Sequence, residues 1–431
     1  VSYVKHLTCV NCGQAHSANE FRYLCTACNG FLDVQLDIEA IRKRLKRSDI
    51  DSRPPGVMQR WLEFLPIEKP DLIERVSIGE SVTPLVKSER LARRLGLEHL
   101  YLKNESAFPT GSLKDRSMPL VVLKALEFGF DTVSIVSSGN AAASLSAYAA
   151  RAGLKAVVFV AGGRTARLAK CRSYGSTLVH VEAPYSQVEE LFMQARQAFG
   201  WYDCNGLINP FRLEGKKTFA HEVCHQLGWR VPDLVIMPIA FGNGLVSAWK
   251  GFAEIEEMGF ATGRPAMWAA QPENCAPIVR AFESGASSVE PVNAQPTVAS
   301  SIAVGNPEIG GKRVLNVARE SGGGAVAASE GLILEAQALL AQEEGLFIEP
   351  SGASSLAGLM RLIREGRVRR DQVIVLSITG EGLNQPDALD AWAPEPHRVA
   401  PDLESLKRLM ARIDGQENHR RNGAEHLGCS T

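Results

Sequence analysis

The chain repeats one local pattern: a short run of β-branched and apolar residues, a turn of small polar residues, then a segment with helical spacing. Thr132–Val136 passes through Ser137-Ser138-Gly139-Asn140 into residues 141–153, and Leu234–Pro238 passes through Gly242-Asn243-Gly244 into residues 246–252. Residues 99–103, 157–160, 268–271, Thr177–Val181 and Val373–Ile378 read as further strands, and residues 166–174 as a helix between two of them. Strands apolar on both faces need helices on both sides, and the crossovers that supply them make the sheet parallel. The expected fold is therefore α/β and doubly wound.

Two of the turns stand where a strand hands over to a helix. Backbone N–H groups at a helix N-terminus, approached through small residues, make an anion site. Gly242-Asn243-Gly244 reads as a phosphate cradle and Ser138-Gly139-Asn140 as a second anion turn. A third feature is Lys114. Pro109 and Gly111 force a turn, Ser112 is a good N-cap, and helical spacing resumes over residues 119–128. Lys114 is thus expected in the first turn of a helix, where the macrodipole opposes a cation and favours the neutral, nucleophilic amine. Such a lysine suits covalent capture of a carbonyl group, whereas a lysine in isolation would be a solvated surface residue.

Composition narrows the function. At 431 residues, 45% hydrophobic and 22% charged, the chain is long enough for two or three domains with real cores. A net charge of −1 leaves no electrostatic footprint for nucleic acid or an acidic membrane, and no apolar run reaches spanning length. Val1-Ser-Tyr-Val-Lys-His carries no apolar signal region, so the expected location is cytoplasmic. Among the nine cysteines, Cys171, Cys204, Cys224, Cys275 and Cys429 are scattered, as reduced thiols are. Cys9-x-x-Cys12 and Cys25-x-x-Cys28 have the spacing of a zinc knuckle, with Gly13 and Gly30 relaxing the backbone behind each pair. Structural zinc is expected there; the alternative is four free thiols.

Two motifs point elsewhere. Gly215-Lys-Lys-Thr218 lacks the glycine that a P-loop needs, since position 210 is Pro. His221-Glu222-Val-Cys-His225 matches the zinc-protease helix motif, with Gly228 at the extended position. The third histidine of that motif is replaced by Val231, and the helix leads into strand Leu234–Pro238 of an open sheet. A metalloprotease is the alternative from a different class, and the bland reading is a helix with two partly exposed histidines.

Pro109-Thr-Gly-Ser-Leu-Lys-Asp-Arg116 resembles the cofactor-lysine segment of the threonine synthase family, within the fold-type-II (tryptophan-synthase-β-like) pyridoxal-phosphate enzymes. Further similar stretches follow in order: Gly79-Glu-Ser-Val-Thr-Pro-Leu85, Asn209-Pro-Phe-Arg-Leu-Glu-Gly-Lys-Lys-Thr218, Glu349-Pro-Ser-Gly-Ala353 and Thr379-Gly-Glu-Gly-Leu383. The resemblance implies two doubly wound domains with pyridoxal 5'-phosphate in the cleft. A zinc-knuckle segment (1–35) and a helical linker (36–75) precede a catalytic body (76–395), whose smaller mobile domain spans about 104–205, and a tail follows (396–431). It implies Lys114 bonded to the cofactor and acting as catalytic base, Asn140 at the cofactor's phenolic oxygen, and Gly242, Asn243 and Gly244 at its phosphate. Thr379 would face the pyridine nitrogen. Ser138 and Gly139 would hold the substrate carboxylate, and Arg212 a further anion or the closed domain. Cys9, Cys12, Cys25 and Cys28 would form a structural metal site, and a homodimer is one expected assembly.

The sequence also departs from the family pattern. Leu113 stands for an aromatic residue, Ser81 for Gly, Asn384 for the commoner Lys, and Ala240-Phe241 for Gly and a small or polar residue. Ala141 and Gly206-Leu207 replace polar residues that serve a substrate phosphate. The expected reaction is elimination and replacement at the β or γ carbon of an amino acid, with O-phosphohomoserine and water giving threonine and phosphate. O-phosphoserine or serine is the alternative substrate, in cysteate-synthase-like, diaminopropionate-forming or dehydratase chemistry.

Overall fold

A computed structural model describes residues 2–161, 166–206 and 208–413; Leu207, Cys429 and the polar run 416–422 lie outside the described residues. Three antiparallel strands open the chain: β1 (Val4–Cys9), β2 (Ala15–His16) and β3 (Leu32–Leu36), in the order β2-β1-β3. The charged segment that follows forms two short helices, Ile38–Arg42 and Arg47–Asp51. Asp37 caps the first by accepting from Ala40 N at 3.0 Å. The crowded cations Arg42, Lys43, Arg44, Lys46 and Arg47 oppose an unbroken helix.

Next come β4 (Leu85–Lys87), β5 (His99–Asn104), β6 (Thr132–Val136), β7 (Lys155–Ala161), β8 (Thr177–Val181), β9 (Tyr202–Asp203), β10 (Leu234–Pro238), β11 (Ala266–Pro272), β12 (Gly324–Ala328) and β13 (Val373–Ile378). They build two separate sheets. Strands β8-β7-β6-β9 form a parallel four-stranded sheet, and β12-β11-β10-β13-β5-β4 a six-stranded sheet that is parallel except for the antiparallel edge strand β4. Successive side chains of a strand point to opposite faces. In β10, Leu234 and Ile236 join one apolar cluster with Leu356 and Leu376, while Val235 and Met237 join another with Phe252 and Val375. In the smaller sheet, Val133 and Ile135 face Leu145 and Tyr148, while Val136 faces Phe159 and Phe192. Both sheets are thus apolar on both faces, as the runs require.

This unit covers Val1–Ala388, and Leu389–Thr431 is a second one. Of the latter, residues 403–413 form a helix. No described helix is long and apolar enough to cross a membrane.

Candidate active site

A cavity of about 430 Å³ opens where strands of the two sheets end. Ile135 and Val136 of β6, Met237 and Pro238 of β10, and Thr379 just after β13 line it. Carboxyl ends of parallel strands are where an α/β sheet leaves helix N-termini pointing into a crevice.

Lys114 lines this cavity from a single 3₁₀ turn, Leu113–Arg116, and not from the following α-helix, Met118–Glu127. The α-helix starts late because Pro119 fits only its first turn. Ser112 caps the 3₁₀ turn, its Oγ accepting from Lys114 N at 3.4 Å. The cause of a depressed amine is therefore not the macrodipole. Desolvation pulls the Lys114 amine down to about 8, Glu349 opposes that shift, and Arg212 and Arg167 reinforce it. The turn is pinned from behind. Arg116, fully buried, binds Glu222 through Nη1–Oε1 at 2.7 Å and Nη2–Oε2 at 2.8 Å, and Glu105 through Nε and through Nη2 at 2.7 Å.

Asn140 is the first residue of helix Asn140–Ala152, and its Nδ2 donates to Glu349 Oε1 at 2.9 Å. Its Oδ1 is buried and, among the described residues, has no partner. Burial raises Glu349, and Arg167 and Lys114 work against that rise. Ser137, Gly139, Asn140 and Ala141 line the cavity, whereas Ser138 does not. Thr379 is buried at the wall, and its carbonyl accepts from Leu113 N at 3.0 Å.

Gly242 has φ +90 and is the N-cap of helix Asn243–Glu257, a conformation that favours glycine. The helix leaves its first N–H groups without intrahelical partners, and Gly242, Asn243 and Gly244 line the cavity beside Phe241. Asn243 Nδ2 holds Gly206 O at 2.7 Å. Arg212, in helix Phe211–Lys216, reaches the same cavity. It is 3% exposed, and Nη1 meets Met118 Sδ at 2.8 Å and Cys204 O at 3.2 Å. Its Nε has no acceptor among the described residues, and desolvation pulls the guanidinium down to about 10.

Several lining residues carry no mark in the sequence. Lys216 stands one helical turn beyond Arg212, and Glu349 reads in the sequence only as part of a turn. Phe31 reaches the cavity from the end of the cysteine knuckle, next to β3. The i, i+4 spacing of Arg212 and Lys216 could have shown the second, but nothing local marks Phe31. The departure at Asn384 is also accounted for. A cation comes from helix Ala166–Ser173 instead: Lys170 Nζ lies 2.8 Å from Asn384 Oδ1 and 2.5 Å from Glu381 Oε1.

The residues fit pyridoxal phosphate: an amine shifted towards its neutral form, the first N–H groups of a helix, and, among the described residues, a guanidinium with no carboxylate partner and a buried amide oxygen with no partner share one cavity. The His-Glu-x-x-His residues do not converge. His221 Nε2 pairs with Glu254 at 3.0 Å and packs on Phe64, and His225 Nε2 pairs with Asp51 at 2.8 Å. The Glu222 carboxylate is taken up by Arg116 and by Lys103 at 2.6 Å.

Among the described residues, one cluster has the donors for a metal: the sulfurs of Cys9, Cys12, Cys25 and Cys28 all lie within 4.8 Å of one another. Cys9–Cys28 is 3.4 Å and Cys12–Cys25 is 3.7 Å, near the ~3.8 Å edge of a tetrahedron with zinc–sulfur bonds of about 2.3 Å. His16 Nε2 lies 3.2 Å from Cys25 Sγ.

Residues 76–380 match the family model described as "Pyridoxal-phosphate dependent enzyme". The chain is 40% identical over 407 residues to "Threonine synthase" of Methanocaldococcus jannaschii, covering 94% of this chain and 99% of that one. It is 36% identical over 407 residues to "Threonine synthase" of Methanosarcina acetivorans, covering 94% and 98%. Among solved structures it is similar to maize serine racemase, with TM-score 0.63, 17% identity and coverage of 81% and 98%. It is also similar to the processed form of threonine deaminase isoform 2 from Solanum lycopersicum, with TM-score 0.62, 18% identity and coverage of 79% and 96%. The match of residues 76–380 to the pyridoxal-phosphate family model and the similarity along 94% of the chain to these synthases place the protein in the threonine synthase family of pyridoxal-phosphate-dependent enzymes.

Proposed function

We propose that this enzyme converts O-phosphohomoserine and water to threonine and phosphate. The observation that carries the reading is Arg212, a buried guanidinium without a carboxylate partner among the described residues, in the same cavity as Lys114. A buried charge left unpaired is costly, which argues for an anionic ligand.

Pyridoxal phosphate supplies the electron sink for charge that develops on the substrate's carbons. The chain's own residues do the rest. Lys114 would hold the cofactor, and its amine moves the proton at the substrate's α-carbon. Gly242, Asn243 and Gly244 would hold the cofactor's phosphate, Asn140 its phenolic oxygen, and Thr379 would offer a neutral hydroxyl to its ring nitrogen. Ser138 and Gly139 present the turn that takes the substrate carboxylate. Ser137, which lines the cavity, is added to that turn. Arg212 takes the leaving phosphate. The four cysteines hold a structural zinc ion, closed to substrate.

Ala141 and Gly206 weigh against a second phosphate, because neither offers a side-chain donor. The test is a substrate panel of O-phosphohomoserine, O-phosphoserine, serine and threonine, read by phosphate release and amino-acid analysis. Threonine formed from O-phosphohomoserine supports the reading. Turnover of O-phosphoserine or serine with no threonine formed replaces it with a β-carbon reaction.

A further inference from the structure

Helix Phe211–Lys216 is followed at once by Lys217, so two lysines stand side by side. Both are buried, yet their surroundings differ completely. Lys217 Nζ is paired twice, to Glu214 at 2.6 Å and Glu254 at 2.7 Å. Lys216 is 5% exposed, and among the described residues its side chain makes no ion pair and no hydrogen bond. Lys217 is thus neutralised by carboxylates of the scaffold, and Lys216 has no such counter-ion among the described residues.

Lys216 also lines the cavity, four residues on from Arg212 and on the same side of the helix. We propose that Lys216 is a phosphate-binding residue, gripping a phosphate monoester dianion together with Arg212. The proposal rests on reading this cavity as the pyridoxal-phosphate site. A neutral or monoanionic ligand would leave one of the two bases uncompensated, whereas a dianion matches both. Without a ligand, desolvation, then Arg212, then Lys114 drive the Lys216 amine well below its ordinary value. A bound dianion acts in the opposite direction and favours the protonated amine. The dianion has two sources, the cofactor's own phosphate and that of a phosphorylated substrate.

The experiment compares wild type with Lys216→Met and Lys216→Arg in the full chain, with melting curves confirming that each variant folds. Binding of pyridoxal phosphate to the apoenzyme, and of inorganic phosphate to the holoenzyme, is measured by calorimetry in buffers of different ionisation enthalpy. The Met variant is expected to lose at least about tenfold in affinity and its proton uptake, and the Arg variant to recover affinity without the uptake. A loss confined to pyridoxal phosphate, and absent with pyridoxal, assigns Lys216 to the cofactor's phosphate. A loss confined to inorganic phosphate, with a raised KM for O-phosphohomoserine, assigns it to the substrate's. Unchanged affinity and unchanged proton uptake in a folded Met variant overturn the proposal. None of the calorimetric readouts needs turnover, so they stand apart from any failure of the O-phosphohomoserine assignment.

Discussion

Arg116 and Glu222, 106 residues apart, meet through two parallel hydrogen bonds of 2.7 and 2.8 Å with no solvent contact on either side chain. This pair ties the turn that carries Lys114 to the helix Thr218–Gln226 behind it. It also explains why a zinc-protease motif has no metal-facing carboxylate: Glu222 is the counter-ion of Arg116 and Lys103.

Removing one member should expose the cost of a lone buried charge. Glu222→Gln is expected to destabilise the fold by about 3–5 kcal/mol, measured by denaturant unfolding. Burial alone would raise the Glu222 carboxyl, but Arg116 and Lys103 outweigh it and hold it at about 2. A carboxyl lowered on folding contributes stability above its unfolded value, near about 4.3, and loses it as pH falls towards 2. Wild type should therefore weaken steeply across that window, and the Gln variant should show a smaller slope there. Equal slopes would mean that the pair does not titrate with unfolding.

Lys114 should be the site at which the cofactor is fixed. Borohydride treatment of the holoenzyme is expected to leave a stable adduct that peptide mapping finds on Lys114, and Lys114→Ala should abolish it. With the amine at about 8, cofactor uptake by the apoenzyme should rise with pH up to about 8 and then level, because the neutral form is the nucleophile. A rate still climbing at pH 10 would show an ordinary lysine.

Arg212→Ala tests the anion site. If the buried guanidinium meets a substrate phosphate, the change should cost about 2–5 kcal/mol in kcat/KM for O-phosphohomoserine. Steady-state kinetics on the purified variant check it. An effect below tenfold would leave the phosphate without its proposed partner.

The cysteine knuckle should bind a single zinc ion and also shape the cavity. Phe31 follows the second cysteine pair and lines the cavity, and β3 next to it is tied to the Arg212 helix through Lys250, which bonds Val34 O and Glu214 Oε1, each at 2.5 Å. Cys9→Ser with Cys12→Ser should remove zinc by elemental analysis, lower the melting temperature and raise KM. Phe31→Ala should raise KM while zinc content stays unchanged. A zinc-free variant with wild-type KM would show that the knuckle and the site are independent.

Features built from neighbouring residues were legible in the chain. Thr132–Val136, Thr177–Val181, Leu234–Pro238 and Val373–Ile378 are strands with the ends that their apolar runs suggest. The Gly242 turn and both cysteine pairs are likewise local: their chemistry lies within a few consecutive residues, where spacing and turn propensity act directly. Which distant side chains meet was settled by packing. Asn140 and Glu349 touch across 209 residues. Lys216 and Lys217 are adjacent in sequence, yet only the second finds carboxylates among the described residues, because Glu254 comes from another helix. His221 and His225 share a helix but turn to Glu254 and Asp51. The amine of Lys114 owes its low value first to burial, with the arginines around it adding to the shift, and not to a helix dipole. Those outcomes depend on how the sheets and their helices stack, and burial and long-range pairing leave no period in the chain from which they could be read.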